Sequence, residues 1–384
     1  MTLPHILHSE SATGWGGQEI RIFQESMHLL DRGFRVSVVC QPGTPLMGRC
    51  SQVAHSHFAV YPLCMTRSFC PLTIGRAFGL LGKICPDLVH THSSVDSWVF
   101  SLAGRMKGIP LVRSRHVSLP VRDFFPNNLI YSRFPDRIIT SGKSISEVIT
   151  RVRGVDPGKV VSISAGVDLN RFHPGVSGAS VRKELGIGPD VPLIGKIGVV
   201  RGWKGHDYLL EAVPRVLQRF PDARFVCAGT GPGFEEVKRK AQAKGLEDKI
   251  TLLGHREDVP ELMAACNVIV LASIAGEGTP QVIPQSFAMK TPMVATRIGS
   301  TPELLGEGER GVLVEPRSGE SLAQGIVRLL DDPGLAERLA ENAFDYCRKE
   351  MSIGKMIDQT IAVYDAVLHR PLGKGEAGVS PEIK

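Results

Sequence analysis

The feature that most constrains this chain is a rhythm that runs twice. Short apolar runs of strand length alternate with amphipathic helical stretches from His5 to Ile163, and the alternation restarts after Gly166. In the first series, strands are expected at His5–Leu7, Arg35–Cys40, Leu88–His92, Pro110–Arg113, Arg137–Thr140 and Val160–Ile163. In the second they are expected at Leu193–Val200, Arg224–Cys227, Ile250–Leu253, Val268–Leu271, Met293–Ala295 and Gly311–Val314. Between them, Ile20, Phe23, Met27 and Leu30 share one helical face, as do Leu209, Val213, Val216, Leu217 and Phe220, with Pro214 expected to kink the latter helix. Buried strands alternating with helices imply parallel sheets with right-handed crossovers. Two series imply an α/β protein of two doubly wound, Rossmann-like domains with a hinge near Ala165–Pro174. Ligands are then expected at the carboxyl ends of the strands, in an interdomain cleft.

Composition agrees. With 384 residues, 42% hydrophobic and 22% charged, the chain can bury two cores, which excludes a disordered or collagen-like protein. Apolar runs such as Val268–Ala272 fall far short of the ~20 residues that cross a bilayer. The N-terminus lacks a basic leader followed by a long apolar stretch, so a cytoplasmic location is expected. The eight cysteines never occur as C-x-x-C and read as buried thiols rather than a disulfide or metal framework. Charge is uneven: residues 1–165 hold 18 Lys and Arg against 10 Asp and Glu, the remainder 27 against 29. A basic first half suits an acidic partner (a phospholipid surface, a phosphorylated glycan or nucleic acid) and equally an ordinary solvated surface.

Two stretches of the second half carry chemistry. In Ala272–Ala288, a buried strand ends, a glycine-containing loop follows, and a helix is expected to open near Thr279, with Thr279 as N-cap and Pro280 first in the helix. Such an opening offers free N–H groups to an anion, with Glu277 beside it. Gly198–Gly205 follows the first strand of this half and holds Arg201 and Lys204, two cations placed to clamp a diphosphate. The segment lacks the P-loop pattern.

With these residues in view, the chain resembles the retaining, nucleotide-sugar-dependent group 1 glycosyltransferases (glycosyltransferase family 4, GT-B fold). Glu277 to Gln285 with Arg201 and Lys204 are similar to the family's donor-site segments. GWGGQE (Gly14–Glu19), PDLVHTH (Pro86–His92), RSRH (Arg113–His116), SAGVDLNRFHP (Ser164–Pro174), AGTGP (Ala228–Pro232) and IGSTPELL (Ile298–Leu305) resemble further family segments in the same order. Two positions depart. The family's E-x7-E has Gln285 at its second acid, and its G-R-x-x-x-x-K-G has Val199 at the arginine, with Arg201 two residues later.

The resemblance implies an N-terminal acceptor-side domain over 1–165 and a nucleotide-sugar-binding domain over 166–345. A C-terminal helix over 346–370 packs back on the first domain, and 371–384 form a mobile tail. It implies a retaining, metal-independent hexosyltransferase of bacterial cell-surface polysaccharide or lipopolysaccharide synthesis. The donor is a nucleoside-diphosphate sugar, and the acceptor a glycan or lipid-linked saccharide. Arg201 and Lys204 neutralise the leaving diphosphate, Glu277 holds hydroxyls of the donor sugar, and Gly278, Thr279 and Gln281 line the helix opening. Gln285 faces the ribose, Glu303 orients base or ribose, and Gly16 and Gly17 admit substrate closely. His116 lies near the anomeric centre, while His90 and His92 shape the cleft. No cofactor, metal or nucleic acid is implied, since no Asp-x-Asp lies in a suitable loop. Peripheral contact with an anionic membrane is implied for the basic first domain, through a cluster of Arg105, Lys107, Arg113, Arg115 and Arg122. The competing readings are an inactive GT-B nucleotide-sugar-binding protein, suggested by Gln285, and a GT-B epimerase or phosphorylase. A dehydrogenase lacks its G-x-G-x-x-G and its acid after the second strand, and a nucleic-acid module lacks an aromatic-rich strand.

Overall fold

The computed structural model describes residues 3–369. The tail expected over 371–384 lies outside them. The chain divides into two compact units, one running to Ser164 and resuming at Gly354, the other Ala165–Ile353.

The first unit alternates β1 (His5–Glu10), α1 (Gly17–Asp31), β2 (Arg35–Cys40), α2 (Pro45–Ser51), β3 (Phe58–Pro62), α3 (Pro71–Ile84), β4 (Leu88–Thr91), α4 (Ser94–Met106), β5 (Leu111–Arg115), α5 (Leu129–Ser132), β6 (Arg137–Thr140), α6 (Lys143–Thr150) and β7 (Val160–Ser162). The seven strands are parallel in the order β3-β2-β1-β4-β5-β6-β7. The second unit runs α7 (Ala179–Glu184), β8 (Leu193–Ile197), α8 (His206–Arg219), β9 (Arg224–Ala228), α9 (Phe234–Ala243), β10 (Ile250–Gly254), α10 (Val259–Ala265), β11 (Val268–Leu271), α11 (Val282–Ala288), β12 (Met293–Thr296), α12 (Thr301–Leu304), β13 (Val312–Val314), α13 (Gly319–Asp331) and α14 (Pro333–Glu350). Its six strands, also parallel, follow β10-β9-β8-β11-β12-β13. A last helix, α15 (Ile353–Leu368), belongs to the first unit from Gly354 onward.

Both sheets are doubly wound. In the second, Ile194, Phe225, Cys227, Val268, Val270 and Val294 face one apolar core with Leu209, Val213 and Ile326. Their strand neighbours Leu193, Val226, Ile269, Leu271 and Met293 face the other, with Ile283 and Phe287. A two-residue alternation with apolar side chains on both faces buries the sheet between two helix layers. In each unit the strand order reverses beside the first strand: between β1 and β4, and between β8 and β11. Those two switch points are where such sheets bind ligands.

Several elements differ from the sequence reading. β1 extends to Glu10, and all six of its residues are buried although His8, Ser9 and Glu10 are polar. The edge strand β3 went unread because its five residues are only half covered and show no alternation. β8 ends at Ile197, three residues early, because Gly198 turns the chain with φ +144°. α8 runs unbroken through Pro214.

Candidate functional site

At the switch point of the second unit, the loop after β8 meets the loop after β11. Gly205 makes the approach possible: a Cβ there would lie 1.8 Å from the Ala272 carbonyl oxygen, and its φ of +68° suits glycine. The Ile274 amide donates to the Trp203 carbonyl at 2.8 Å, joining the loops. Across this junction Lys204 Nζ donates to Glu277 Oε1 at 2.5 Å, and Ser273 Oγ donates to the same oxygen at 2.5 Å. Glu277 is buried, while Lys204 keeps 24% of its side chain exposed. The pair is therefore half desolvated, with its ammonium open to an incoming anion.

Arg201 precedes this pair. Its guanidinium lies 5.0 Å over the ring of the exposed Trp203, and its buried Nε has no hydrogen-bond partner. Beneath, Lys196 on β8 is buried, and burial followed by the charge of Lys204 pulls its ammonium down to about 8. His206, opening α8, is held down to about 2 by burial and by these two lysines. Lys204 and Lys196 thus lie close to the Glu277 carboxylate, with Arg201 three residues before Lys204 in the same loop, a basic field suited to a diphosphate.

The other residues expected at the donor site lie at the same end of the sheet. Gly278 and Thr279 lie in the loop after β11, Gln281 immediately precedes α11, Gln285 is partly exposed within it, and Glu303 sits in α12 after β12. The helix expected to open at Thr279 opens instead at Val282 and spans seven residues, without a side-chain cap. Thr279 and Pro280 belong to the loop, so a helix dipole there counts for less than the loop's own N–H groups.

The switch point of the first unit is equally polar. Glu10, ending β1, accepts from the Ala12 amide at 2.6 Å, from Ser93 Oγ and from Gln18 Nε2. Asp96 of α4 accepts from Ser9 Oγ at 3.0 Å, Ser11 Oγ at 3.1 Å and the His92 amide at 2.9 Å. Burial raises both carboxyls. Gly16 caps α1, its amide donating to Glu19 Oε2 at 2.8 Å, and Gly17 begins that helix. His116 follows β5, partly exposed, its Nε2 3.2 Å from His92 Nδ1. Burial and the nearby Arg21, Arg115 and Arg113 push its pKa well below the ordinary histidine range. His90 is fully buried between Tyr364 Oη at 2.7 Å and Ser114 Oγ at 2.8 Å, a structural arrangement within the unit core.

The sequence reading missed Glu10, Asp96 and Lys196. The available signal for Glu10 was the run His-Ser-Glu directly after Ile6 and Leu7, polar residues continuing a strand toward its functional end. The expected basic cluster around Arg105–Arg122 is corrected. Arg113 is buried with its guanidinium 4.2 Å over Tyr131, and Arg105 is bound to Asp136 at 2.8 Å and to the Phe134 carbonyl. Arg115 donates to the Leu119 carbonyl at 2.9 Å.

Two doubly wound units of this strand order, each with polar loops at its switch point, make up the GT-B architecture of glycosyltransferases. Residues 15–171 match the family model described as Glycosyltransferase Family 4, and residues 179–346 the model described as Glycosyl transferases group 1. The chain belongs to the group 1 glycosyltransferases. It is 32% identical over 188 residues to the alpha-D-kanosaminyltransferase of Streptomyces kanamyceticus, a match spanning about half of each chain, 48% of both. It is 25% identical over 366 residues to the UDP-Gal:alpha-D-GlcNAc-diphosphoundecaprenol alpha-1,3-galactosyltransferase of Escherichia coli, covering 90% of this chain and 93% of that one. The structure of Anabaena HepE in complex with UDP-glucose superposes with a TM-score of 0.82 at 22% identity, covering 94% of this chain and 99% of that one, a likeness of fold.

Proposed function

We propose that this chain is a retaining transferase that moves a sugar from a nucleoside-diphosphate donor to a glycan or lipid-linked acceptor in bacterial surface-polysaccharide or lipopolysaccharide synthesis. The observation that carries the donor half is the Lys204–Glu277 contact at the β8/β11 switch point, with Arg201 beside it. As the glycosidic bond lengthens, charge grows on the departing diphosphate, and Lys204 and Arg201 stabilise it more than they stabilise the ground state. Glu277 then serves two ends: it fixes the Lys204 ammonium and accepts from donor-sugar hydroxyls. The acceptor hydroxyl attacks the anomeric carbon from the face the diphosphate leaves. Its proton passes to the departing phosphate oxygen as the carbon–oxygen bond to phosphate breaks. Gly278, Thr279 and Gln281 contribute loop donors, Gln285 and Glu303 contact ribose or base, and Gly16, Gly17 and His116 serve the acceptor side. No metal is needed in this scheme, because the cations are side chains.

A lipid-linked acceptor lies at a membrane surface, and the first unit presents a loop suited to one. Leu119, Phe124 and Phe125 are 42%, 55% and 78% exposed, with Arg122 exposed among them. Among the described residues no helix is long and apolar enough to cross a membrane, so contact is peripheral in this reading. The deciding experiment offers UDP-, GDP- and ADP-sugars in turn with candidate acceptors and measures nucleoside diphosphate released. Release with one donor supports the reading. Tight donor binding with no release from any donor favours the inactive binding protein.

A further inference from the structure

Three imidazoles of the first unit form a chain. His8 Nδ1 lies 3.0 Å from His92 Nε2, and His92 Nδ1 lies 3.2 Å from His116 Nε2. The rings stack along it, with centroids 5.2 and 5.5 Å apart and interplanar angles of 27° and 13°. His8 and His92 are buried, and His116 emerges at the carboxyl end of the sheet. At the buried end, His8 Nε2 and Glu25 Oε2 have no hydrogen-bond partner. An oxygen of Glu25 and one ring nitrogen each of His8, His90 and His92 all fall within 4.8 Å of one another.

This grouping has the look of a cation site, but its donor atoms are spoken for. Both nitrogens of His90 are engaged by hydroxyls and both of His92 by neighbouring rings. Only His8 Nε2 and a Glu25 oxygen remain, short of the three or four ligands of a protein zinc site, and Arg21 lies against Glu25 at 2.7 Å.

As a hydrogen-bond chain the grouping is more informative. A neutral imidazole has one N–H and one lone pair. Burial holds all three rings neutral, His8 down to about 3 and the others well below the ordinary range. Joined Nδ1 to Nε2, neutral rings satisfy both bonds in only two ways, with every proton on Nδ1 or every proton on Nε2. The buried end discriminates between them. Protons on Nδ1 leave a bare lone pair on the unpartnered His8 Nε2, in an interior where a Glu25 oxygen lies within 4.8 Å of a His8 ring nitrogen, acceptor beside acceptor. Protons on Nε2 instead set an N–H in the neighbourhood of that carboxylate, and in a low-dielectric interior the difference is felt along the chain.

We propose that Glu25 and His8, acting through His92, fix the proton of His116 on Nε2, so that His116 presents its Nδ1 lone pair to the hydroxyl of the sugar acceptor. His8, His92 and Glu25 are positioning residues in this account, and only its acceptor half rests on the transferase reading. His116, far too weak a base to keep the proton, orients the hydroxyl and leaves its proton to the departing phosphate.

The test is ¹⁵N NMR of histidine-labelled full-length protein at neutral pH, where pyrrole-type and pyridine-type ring nitrogens resonate far apart. The wild type is expected to show His116 with a pyridine-type Nδ1 and a pyrrole-type Nε2; the reverse assignment overturns the proposal. Glu25→Gln keeps the shape but supplies an amide N–H that can donate to His8 Nε2, and is expected to shift His116 toward the Nδ1–H form. An unshifted His116 in a folded Glu25→Gln protein refutes the control by Glu25. That variant should raise acceptor KM about tenfold with kcat and nucleoside-diphosphate affinity little changed. If its tautomer shifts but its acceptor KM does not, the acceptor role of His116 is refuted. Absence of wild-type transfer would instead count against the transferase reading, leaving the tautomer result standing.

Discussion

Lys204 Nζ and Glu277 Oε1 meet at 2.5 Å across the point where the strand order of the second unit reverses. One side of the pair is buried and the other open, which separates its structural consequence from its chemical one. A buried carboxylate needs its oxygens hydrogen-bonded, and Lys204 supplies a donor to Glu277 from the solvent side.

Lys204→Ala should therefore do two things. Losing a cation at the leaving group typically costs ~2–4 kcal/mol of barrier, about 30- to 1,000-fold in turnover. Losing it also leaves Glu277 with Ser273 as its neighbouring donor, a penalty of roughly 1–3 kcal/mol and a few degrees of melting temperature. Lys204→Ala with Glu277→Gln should recover most of the melting temperature and none of the turnover. Near-normal turnover in the single variant would remove Lys204 from the donor site.

Each of these two residues was legible in sequence because it sits in a glycine-containing loop at a strand end and in the order of a family pattern; their contact with one another was not. Nor was the helix start. Thr279-Pro280 has the composition of a cap, yet Pro280 and Gln281 are held in the loop and Gln281 caps α11 without a side-chain bond. The first unit hid more. A buried strand is read by its apolar run, and β1 continues through His8, Ser9 and Glu10 because His92, Asp96 and Ser93 satisfy those side chains from other elements. Partners some 80 residues away leave no local trace. The arginines at 113 and 115 misled for the same reason: Arg113 is buried against Tyr131, and the half-buried Arg115 is engaged by the chain turning back at Leu119.

Transfer should survive chelation. In the proposed scheme Arg201 and Lys204 balance the diphosphate, so excess EDTA should leave the initial rate of diphosphate release within about twofold. Complete loss, restored by magnesium or manganese, would show that a divalent ion carries that charge instead.

Gln285 stands where the family more often has an acid, partly exposed and one turn into α11. Gln285→Glu should hold or tighten donor affinity, by up to about 1 kcal/mol, since a carboxylate accepts more strongly from ribose hydroxyls. Calorimetric titration with the preferred nucleoside diphosphate measures it. Abolished binding in Gln285→Glu alongside normal binding in Gln285→Ala would mean the side chain does not meet a ribose.

The first unit should be acid-labile. His8, His90, His92 and His116 have folded pKa values depressed below 6.5, so the native state binds fewer protons than the unfolded chain. The stability this represents is complete above the unfolded value and is lost as pH falls below it, by about 1.4 kcal/mol per pH unit for each histidine. His5 is depressed as well, to about 4, while Glu10, Asp96 and Asp31, whose carboxyls are raised, act in the opposite sense over the acid range but number three against five. Denaturation followed by Trp15 and Trp98 fluorescence in a Trp203→Phe background should show a midpoint that drops between pH 7 and pH 5. His8→Phe should reduce the slope by about one proton. A midpoint that is flat or rises on acidification would contradict the buried neutral chain.

Membrane contact, finally, should depend on the loop that carries Phe124 and Phe125 and not on the arginines first singled out in the sequence. Arg113 is buried and Arg105 is committed to Asp136, so neither is free to meet a headgroup. Arg122 and Arg153 are exposed instead, and the Arg153 amide donates to Asp123 Oδ2 at 3.0 Å, which brings Arg153 onto the loop that holds the two phenylalanines. An exposed phenylalanine entering the apolar boundary of a bilayer gains roughly 1.5–3 kcal/mol, and each arginine at an anionic surface about 1 kcal/mol, screened by salt. Cosedimentation with phosphatidylglycerol vesicles at low ionic strength should therefore fall about a hundredfold in affinity for Phe124→Ser with Phe125→Ser. It should fall about thirtyfold or more for Arg122→Glu with Arg153→Glu, and little for Arg105→Glu. The apolar and ionic parts separate by salt: rising ionic strength should weaken the wild type and leave the arginine double variant almost unaffected. Failure of the wild type to bind at low salt, or binding indifferent to salt, would exclude electrostatic docking and make a soluble glycan the better acceptor.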